Sequence, residues 1–186
     1  MKMERRMLYT PVFHIDTNMI NARGKLPAMT QLEKWAEEGV ILINMSNTSF
    51  CEAQEGNNIS RTKKALSQIC TLTDENITES DATFQKVSSV LFPDGIKDNN
   101  QRNDVVIVCE AKKWNAILVT NDGGSKKQPG GILGNSHKLE DFVQIMRDIE
   151  AVDFINSKIT RRDEINKKIS KYTSEALPQW TDKDNA

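Results

Sequence analysis

The sequence predicts a three-layer α/β/α fold in which helices cover both faces of a central parallel sheet. The first observation is a set of short apolar runs at 11–15, 40–43 and 116–119. Runs of this kind are typical of parallel strands that are buried on both faces. The second observation is that a segment with helical spacing of its apolar residues separates the first two runs. The order strand, helix, strand favours parallel strands joined by crossover helices.

Composition places the chain among ordinary globular proteins. Its 186 residues are enough for a domain with a sizeable core, and 38% hydrophobic with 27% charged residues shows no bias toward disorder. The formal net charge of −1 neither supports nor excludes a nucleic-acid partner, because a cluster of acids lowers the sum while local basic patches persist.

Cysteine content and hydropathy predict an intracellular protein. Three cysteines without CxxC spacing indicate reduced thiols, neither a disulfide framework nor a zinc site. Cys51 and Cys109 have apolar neighbours, so we expect both to be buried. No apolar run approaches the length of a membrane span, and MKMERRM at the start lacks the apolar segment of a secretory signal. We therefore expect a cytoplasmic chain with no membrane partner.

Acidic side chains follow the first strand and occupy the helix after the second strand. The strand at 11–15 runs directly into Asp16, and the alternative is that Asp16 only caps the helix that follows. Ser46 or Asn47 caps a later helix that carries Glu52 in its second turn. Considered alone, a helical glutamate is most simply a solvated surface residue.

The segments between these features are predicted to be mainly helical. Apolar spacing predicts helices at 28–38, 59–72 and 82–91. Residues 56–102 are expected to form a helical insertion or arm on the sheet. The polar run at 98–101 is expected to be a loop that leads into the next acid.

The stretch from Asn103 to Asp122 is expected to bring two carboxylates to one place. Asn103 is a good N-cap for a helix that opens on Asp104. A turn at Asn115 leads to the apolar strand at 116–119, and Asp122 follows that strand. In open α/β sheets, ligands bind at the carboxyl ends of the strands, which is where we expect Asp122.

The C-terminal third is predicted to be a glycine-rich loop followed by helices. The loop contains 132–133 as a short edge strand. Apolar residues at 139–149 recur at helical spacing, a basic amphipathic helix follows, and 174–186 is expected to be a frayed tail. The chain therefore divides into a body at 1–146 and a C-terminal helical extension and tail at 147–186.

Taken together, the acids resemble those of the PIN domain family, the nuclease fold of VapC-type toxins and related ribonucleases. The matching motifs are FHIDTN around Asp16, MSNTSFCE ending in Glu52, ND ending in Asp104, and LVTND closing on Asp122. Their order and spacing over residues 10–146 are specific. The resemblance implies a PIN-like fold and a metal-dependent endoribonuclease, either a toxin of a toxin–antitoxin pair or a processing enzyme.

The resemblance also implies that these acids are the catalytic residues and the metal ligands. Crowded carboxylates repel one another, and a hard divalent cation relieves the repulsion; without His or Cys partners the cation is Mg²⁺ or Mn²⁺ rather than zinc. We expect Asp16 and Asp104 to contact the ion directly, with Glu52 and Asp122 completing the site or positioning water. Further polar side chains would orient these ligands, namely Asn18 and Thr120 or Asn121.

Basic side chains are the candidates for RNA contact. Lys126 and Lys127 lie in the glycine-rich loop, although a lysine pair on a loop is more often simply solvated. Arg161 and Arg162 lie on the basic side of the C-terminal helix, whose simplest role is packing on the body or on another subunit. The expected partners are RNA, an antitoxin protein and a second copy of the chain.

Two other functions compete with the nuclease. A PIN-like scaffold without activity would bind RNA or protein, and the presence of all the acids argues against it. A phosphatase with Asp16 as its nucleophile would resemble haloacid-dehalogenase-like enzymes. Those enzymes carry a second acid two residues further on, where this chain has Asn18.

Overall fold

The sheet at the centre of the protein is five-stranded and parallel throughout. The computed structural model describes residues 6–21, 23–55, 58–68, 70–71, 77–124 and 130–185. The strands are β1 (Phe13–Ile15), β2 (Ile43–Met45), β3 (Cys70–Thr71), β4 (Ile117–Val119) and β5 (Ile145–Met146). The α-helices are α1 (Pro27–Glu37), α2 (Asn47–Gln54), α3 (Ile59–Gln68), α4 (Ala82–Leu91), α5 (Asn99–Lys113), α6 (Gly131–Gly134) and α7 (Asp148–Thr173). Short 3-10 turns occupy Thr17–Met19 and Ser136–Lys138.

The strand order places β1 in the middle of the sheet. The order is β3-β2-β1-β4-β5, with β1 paired to β2 on one side and to β4 on the other. The sheet is therefore built outward in both directions from β1. At such a switch point, a crevice forms outside the carboxyl ends of the two strands.

Apolar side chains on the two faces of the sheet enter two separate cores. Phe13 and Ile15 join residues of α1 and α7 on one face. Leu118 joins residues of α4 and α5 on the other face. This separation follows from the two-residue period of a strand. The predicted three-layer α/β/α fold is confirmed.

His14 is a buried polar residue on the central strand, with 1% of its surface exposed. Within the described ranges, neither ring nitrogen has a hydrogen-bond partner. Burial lowers the pKa of His14 to about 4, so the ring is neutral at physiological pH. The imidazole therefore packs as an uncharged core side chain.

Two strands differ from the predicted elements. β2 begins later than the predicted run at 40–43, although Val40 and Ile41 are buried as strand residues would be. β3 lies within 56–102, where we expected helices alone, and it forms one edge of the sheet. Apolar burial does not by itself distinguish a paired strand from a buried connection.

The helix that carries Asp104 begins earlier than predicted. Its N-cap is Asp98, whose side chain accepts a hydrogen bond from the main-chain N–H of Gln101 at 2.9 Å. The predicted loop at 98–101 and the predicted N-cap at Asn103 are both wrong, because Asp98 already satisfies the first turn of α5. Asp104 consequently lies in the second turn of the helix.

The C-terminal third contains one long helix where the spacing predicted two. Residues 139–149 include the edge strand β5, so the predicted helical stripe is wrong; main-chain bonds to β4 draw this segment into the sheet. The predicted strand at 132–133 is also wrong, because these residues belong to α6. α7 follows and contributes three side chains to the core, Ala151, Ile155 and Ile159.

Cysteine burial agrees with the sequence at one position and differs at another. Cys109 is buried as predicted, but Cys51 is exposed, because α2 buries Ser49 and Ala53 instead. No helix in the described ranges is both long enough and apolar enough to cross a membrane.

The last residues fold back onto the body, so the prediction of a frayed tail is wrong. The Asp184 side chain is buried and accepts hydrogen bonds from the guanidinium groups of Arg6 and Arg162, each at 2.9 Å. Its main-chain carbonyl accepts a bond of 2.7 Å from the indole N–H of Trp35. Arg162 also lies over the ring of Trp180, 4.3 Å from its centroid. These contacts fasten the C-terminus across α1 and α7.

The Asp184 carboxylate depends on its two arginines. Burial alone raises the pKa of Asp184, but hydrogen bonds from Arg6 and Arg162 outweigh burial and hold the pKa below its usual value. A carboxyl group with a lowered pKa stabilises the fold above its unfolded pKa. That stability is lost as the pH falls through the folded pKa.

We expect Asp184→Asn to lower the free energy of unfolding by about 2–4 kcal/mol at pH 7, because two guanidinium groups each lose a buried carboxylate partner. The deficit relative to wild type should begin to shrink below about pH 4, where the carboxyl group of the unfolded chain becomes protonated, and should disappear only below the lower pKa of the folded carboxyl group. Chemical denaturation followed by circular dichroism measures both effects. Asp182→Asn is the matched control, since Asp182 pairs with Lys167 at the surface and such pairs contribute less than about 1 kcal/mol. Equal losses in the two variants would contradict the buried role of Asp184.

Candidate functional site

Three of the predicted acids, Asp16, Glu52 and Asp122, gather at the switch point of the sheet. Asp16 directly follows β1, and its main-chain N–H donates to the carbonyl of Val119 at 3.0 Å, so the ends of β1 and β4 are joined. Asp122 lies just beyond β4. Glu52 lies on α2, which follows β2, and Asp104 lies on α5. Four separate segments therefore lead to this edge.

Asp16 is the most deeply buried of these acids, with 6% of its surface exposed. One carboxylate oxygen accepts the main-chain N–H of Thr17 at 2.6 Å. The other accepts the Asn18 amide and the Thr120 hydroxyl, each at 2.7 Å. Asp16 does cap the turn that follows it, but the bond to Thr120 also ties it to the next strand. Capping alone does not account for its position.

The charge of Asp16 is strongly perturbed, and its pKa is raised to about 6. Burial is the largest cause, and the hydrogen bonds from Thr120 and Thr17 oppose it. The negative charges of Glu52 and Asp122 raise the pKa further. The three acids therefore share one electrostatic environment, in which the charges of Glu52 and Asp122 disfavour ionisation of Asp16.

Glu52 is held between the end of β1 and the start of α5. Its Oε2 atom accepts the hydroxyl of Thr17 at 2.7 Å, and its Oε1 atom accepts the amide of Asn103 at 2.8 Å. Asp104, the residue after Asn103, is partly buried. Thr17 and Asn103 thus position Glu52, a role that the sequence motifs did not indicate for either residue. Their only sequence signal was that each is adjacent to a predicted acid.

The predicted orienting residues form a hydrogen-bonded chain. Asn18 and Thr120 donate to the same oxygen of Asp16. The Thr120 hydroxyl also accepts the main-chain N–H of Asp122 at 3.0 Å, so this one side chain links two acids. The main-chain N–H of Asn121 donates to the Asn18 side chain at 3.2 Å.

Asp122 is fixed by main-chain groups of the glycine-rich segment. Its carboxylate accepts the N–H of Gly124 at 3.1 Å and the N–H of Ile132 at 2.8 Å. Gly131 has a φ of +54°, and a Cβ atom there would lie 2.5 Å from Asp122 Oδ2 and would also meet the Gly124 nitrogen. The glycine-rich pattern predicted only a loop and did not indicate this close approach. The Gly-Gly pair at 130–131 was the available signal.

In its chemistry, the donor set fits a hard divalent cation, because it consists of carboxylate, hydroxyl and amide oxygens. Among the described residues, however, no group of three or more His, Cys, Asp or Glu side chains is arranged to hold a metal ion. The oxygens of Asp16, Glu52 and Asp122 are directed instead at hydroxyl, amide and main-chain N–H donors. A cation at this edge has to replace some of these hydrogen bonds.

Of the basic candidates, the structure describes only the two on α7, and their surroundings differ. Lys126 and Lys127 lie outside the described residues. Arg161 is exposed on α7. The Arg162 guanidinium is bound by two carboxylates and lies over Trp180, so the structure assigns it to the attachment of the C-terminus.

Comparisons with known proteins give a distant structural similarity. No protein-family model matches the chain, and no curated protein matches it. Among solved structures, the chain is similar to one from the crystal structure of VapBC2 from Rickettsia felis bound to a DNA fragment from their promoter. The sequence identity is 17%, the TM-score is 0.44, and the alignment covers 73% of this chain and 98% of that chain. Nothing about activity follows from a similarity of this degree.

We expect Asp16→Asn to stabilise the protein at neutral pH when chelator is present. An acid whose folded pKa is raised to about 6 destabilises the fold as the pH rises from about 4, and the penalty is complete above about pH 6. The gain should be on the order of 1–3 kcal/mol at pH 7.5 and should vanish near pH 4. Denaturation at several pH values measures it, with Asp141→Asn as an exposed-acid control. A variant less stable than wild type at pH 7.5 would mean that the hydrogen bonds of Asp16 outweigh its desolvation.

We expect Gly131→Ala to destabilise the protein by roughly 1–3 kcal/mol, because the added methyl group meets the Asp122 carboxylate at a backbone conformation that disfavours side chains. Gly134→Ala is the matched control in the same short helix, since a Cβ there meets nothing within 4 Å and its φ is not positive. Thermal denaturation of both variants tests the difference. Similar melting temperatures for the two would show that Asp122 is not held as described.

Proposed function

We propose that this protein is a divalent-metal-dependent nuclease that hydrolyses phosphodiester bonds of RNA. The observation that carries the proposal is the Asp16 carboxylate, buried at the switch point with a pKa of about 6 that Glu52 and Asp122 help to raise. Perturbed acids in a crevice at strand ends are typical of catalytic sites. The resemblance of the acidic motifs to those of PIN-domain nucleases points to the same chemistry.

The four acids are the proposed ligands. Asp16 and Asp104 hold the ion directly, while Glu52 and Asp122 complete the site or orient a water molecule. When bound there, Mg²⁺ or Mn²⁺ would supply an activated water and would offset the charge of the phosphoryl oxygens. With water as the nucleophile, the proposed reaction needs no Ser, His or Cys nucleophile.

The surrounding donors prepare the acids for this role. Asn18 and Thr120 fix the orientation of the Asp16 carboxylate, and Thr17 and Asn103 hold Glu52 between β1 and α5. Each bond is to a neutral donor, so the donors stabilise negative charge without supplying a counter-ion. The mutual repulsion of the acids is therefore left for a cation to relieve.

RNA is proposed as the substrate because of the family resemblance, since the acids themselves do not distinguish RNA from DNA. A cytoplasmic location, a role as the toxin of a toxin–antitoxin pair, an antitoxin partner and a homodimer belong to the same proposal. A neighbouring gene for a small antitoxin would favour the toxin over a processing enzyme.

A catalytically inactive RNA- or protein-binding module is the second candidate. The observation that favours it is that, among the described residues, the acids are bonded to internal donors and form no group arranged for a metal. The phosphatase alternative is weaker, because Asn18 donates its amide to Asp16 where such an enzyme would have an acid.

We expect wild-type protein to cleave 5′-labelled single-stranded RNA in Mn²⁺ or Mg²⁺. Asp16→Asn and Asp104→Asn should lower the rate by about 100-fold or more, because each removes a proposed ligand charge. Asp141→Asn, an exposed acid outside the site, is the control for the change of charge. Gel analysis of the products measures cleavage, and calorimetric titration with Mn²⁺ measures ion binding independently.

The combination of results separates the candidates. Cleavage that is equal in wild type and both site variants would indicate a contaminating nuclease. If wild type binds RNA but neither binds Mn²⁺ nor cleaves the RNA, the nuclease proposal is wrong and the binding module is favoured.

A further inference from the structure

We propose that a cavity beside Asp122, with Arg147 at its rim, binds a phosphodiester group of the RNA strand next to the one that is cleaved. The proposal rests on the proposed function and adds a substrate-binding subsite to it. Arg147 was not among the residues that the sequence pointed to.

Arg147 lies at the same edge of the sheet as the acids. It directly follows β5, as Asp16 directly follows β1, and both strands run parallel to β4 between them. The main-chain N–H of Thr120 donates to the carbonyl of Met146 at 3.0 Å, which aligns the ends of β4 and β5. Two strand spacings, about 10 Å, therefore separate the main chain of Asp16 from that of Arg147. A nucleic-acid strand laid along this edge passes the acids and then the arginine.

The cavity has a volume of about 260 Å³, and three glycines form part of its wall. A Cβ atom built on Gly123 or on Gly134 would have no other atom within 4 Å, so the space beside these two glycines is open. The size is below the roughly 300–1,000 Å³ typical of pockets for whole small molecules, so it suits one group of a longer ligand. The lining residues that carry the proposal are Gly123, Gly130, Gly134, Ser136, Arg147 and Glu150.

The same segments form the cavity wall and hold the acid. Gly123 follows Asp122 directly, and the main-chain N–H of Leu133, another lining residue, donates to the carbonyl of Asp122 at 3.1 Å. The Asp122 carboxylate is bound by Ile132 in the adjoining turn. The cavity wall thus adjoins Asp122 of the proposed catalytic site.

Arg147 is available to a ligand. Its side chain is exposed, and within the described ranges its guanidinium makes no ion pair and no hydrogen bond. Arg6 and Arg162, by contrast, are engaged by Asp184. An arginine left unpaired at the mouth of a cavity suits a phosphate, which its planar fork can bind through two parallel hydrogen bonds.

Glu150 is the opposing charge in the cavity. Its Oε2 atom accepts the main-chain N–H of Arg147 at 2.8 Å, so the carboxylate closes the first turn of α7 and leaves the guanidinium unpaired. Its negative charge nevertheless weakens the attraction for an anion. Glu150→Gln keeps an oxygen to accept the main-chain bond and removes the charge, and it should bind RNA more tightly.

The test measures binding of fluorescent single-stranded RNA by anisotropy, in chelator, so that no cleavage occurs. Arg147→Gln should raise the Kd about 5- to 10-fold and reduce the slope of log K against log salt by about 0.7, as expected for one lost contact to single-stranded phosphate. Glu150→Gln should lower the Kd. Lys34→Gln is the control for loss of one exposed positive charge, because it lies in the last turn of α1, which leads to the amino ends of the strands.

A second pair of variants tests the cavity without changing Arg147. Gly134→Asp places a carboxylate at the open wall and should weaken binding at least as much as Arg147→Gln. Gly134→Asn adds a neutral side chain of nearly the same size and should weaken binding less than 3-fold, in keeping with an electrostatic cause. Circular dichroism establishes that each variant is folded.

The outcomes distinguish this subsite from the nuclease activity. If wild type cleaves RNA and Arg147→Gln binds and cleaves it equally well, the subsite is wrong while the nuclease stands. If wild type fails to cleave but Arg147→Gln and Gly134→Asp still lose binding, the subsite stands on an inactive scaffold. Loss of binding in Arg161→Gln with none in Arg147→Gln would overturn the proposal and move the RNA contact to α7.

Discussion

The desolvated carboxylate of Asp16 is the constraint on which the rest of the site depends. Because β1 is the central strand, its carboxyl end adjoins the segments that follow both β2 and β4. Glu52 and Asp122 therefore approach the same buried group from opposite sides and add to the energetic penalty of its charge. The protein offsets this penalty only in part, through neutral donors from Thr17, Asn18 and Thr120. An arrangement that keeps like charges together at a cost in stability is typical of a site selected for function.

Stabilising contacts away from the site hold α7 and the C-terminal segment in place. α7 begins at the edge of the sheet that bears the acids and contributes to the core, and its later turns bind the C-terminal segment through Arg162. The buried Asp184 joins this helix to Arg6 near the start of the chain. This buried ion-pair cluster specifies one arrangement of α1, α7 and the C-terminal segment, because burying either arginine without Asp184 would cost free energy. Because the cluster engages Arg162, the basic side of α7 is a weaker candidate for RNA contact than the sequence suggested.

The glycine-rich segment has two structural roles, and both depend on glycines that carry no side chain. Its main-chain N–H groups grip the Asp122 carboxylate, which requires a residue without a side chain at Gly131. Its other glycines leave an open wall beside the acid, at whose rim Arg147 stands. Positioning an acid and admitting a phosphate both need close approach to the backbone. In the proposed nuclease, one stretch of sequence would therefore serve catalysis and substrate binding together.

The sequence by itself determined the local features. Apolar runs located β1 and β4, the spacing of Phe84, Val87 and Leu91 predicted the buried face of α4, and the turn residue Asn115 does have a positive φ. One local signal, the Asp98 cap, was present in the sequence but was overlooked in favour of Asn103. These features depend on interactions within a few residues, which periodicity and capping preferences report directly.

Only the tertiary structure decided which strands pair and which polar groups meet. The bond from Thr120 to Asp16 spans 104 positions, and the bond from Arg6 to Asp184 spans 178. β3 and β5 are too short to have a periodicity of their own and become strands because a neighbouring edge offers hydrogen bonds. The acids at the ends of strands were visible in the sequence. Their mutual geometry was not, because it follows from packing between segments that are distant along the chain.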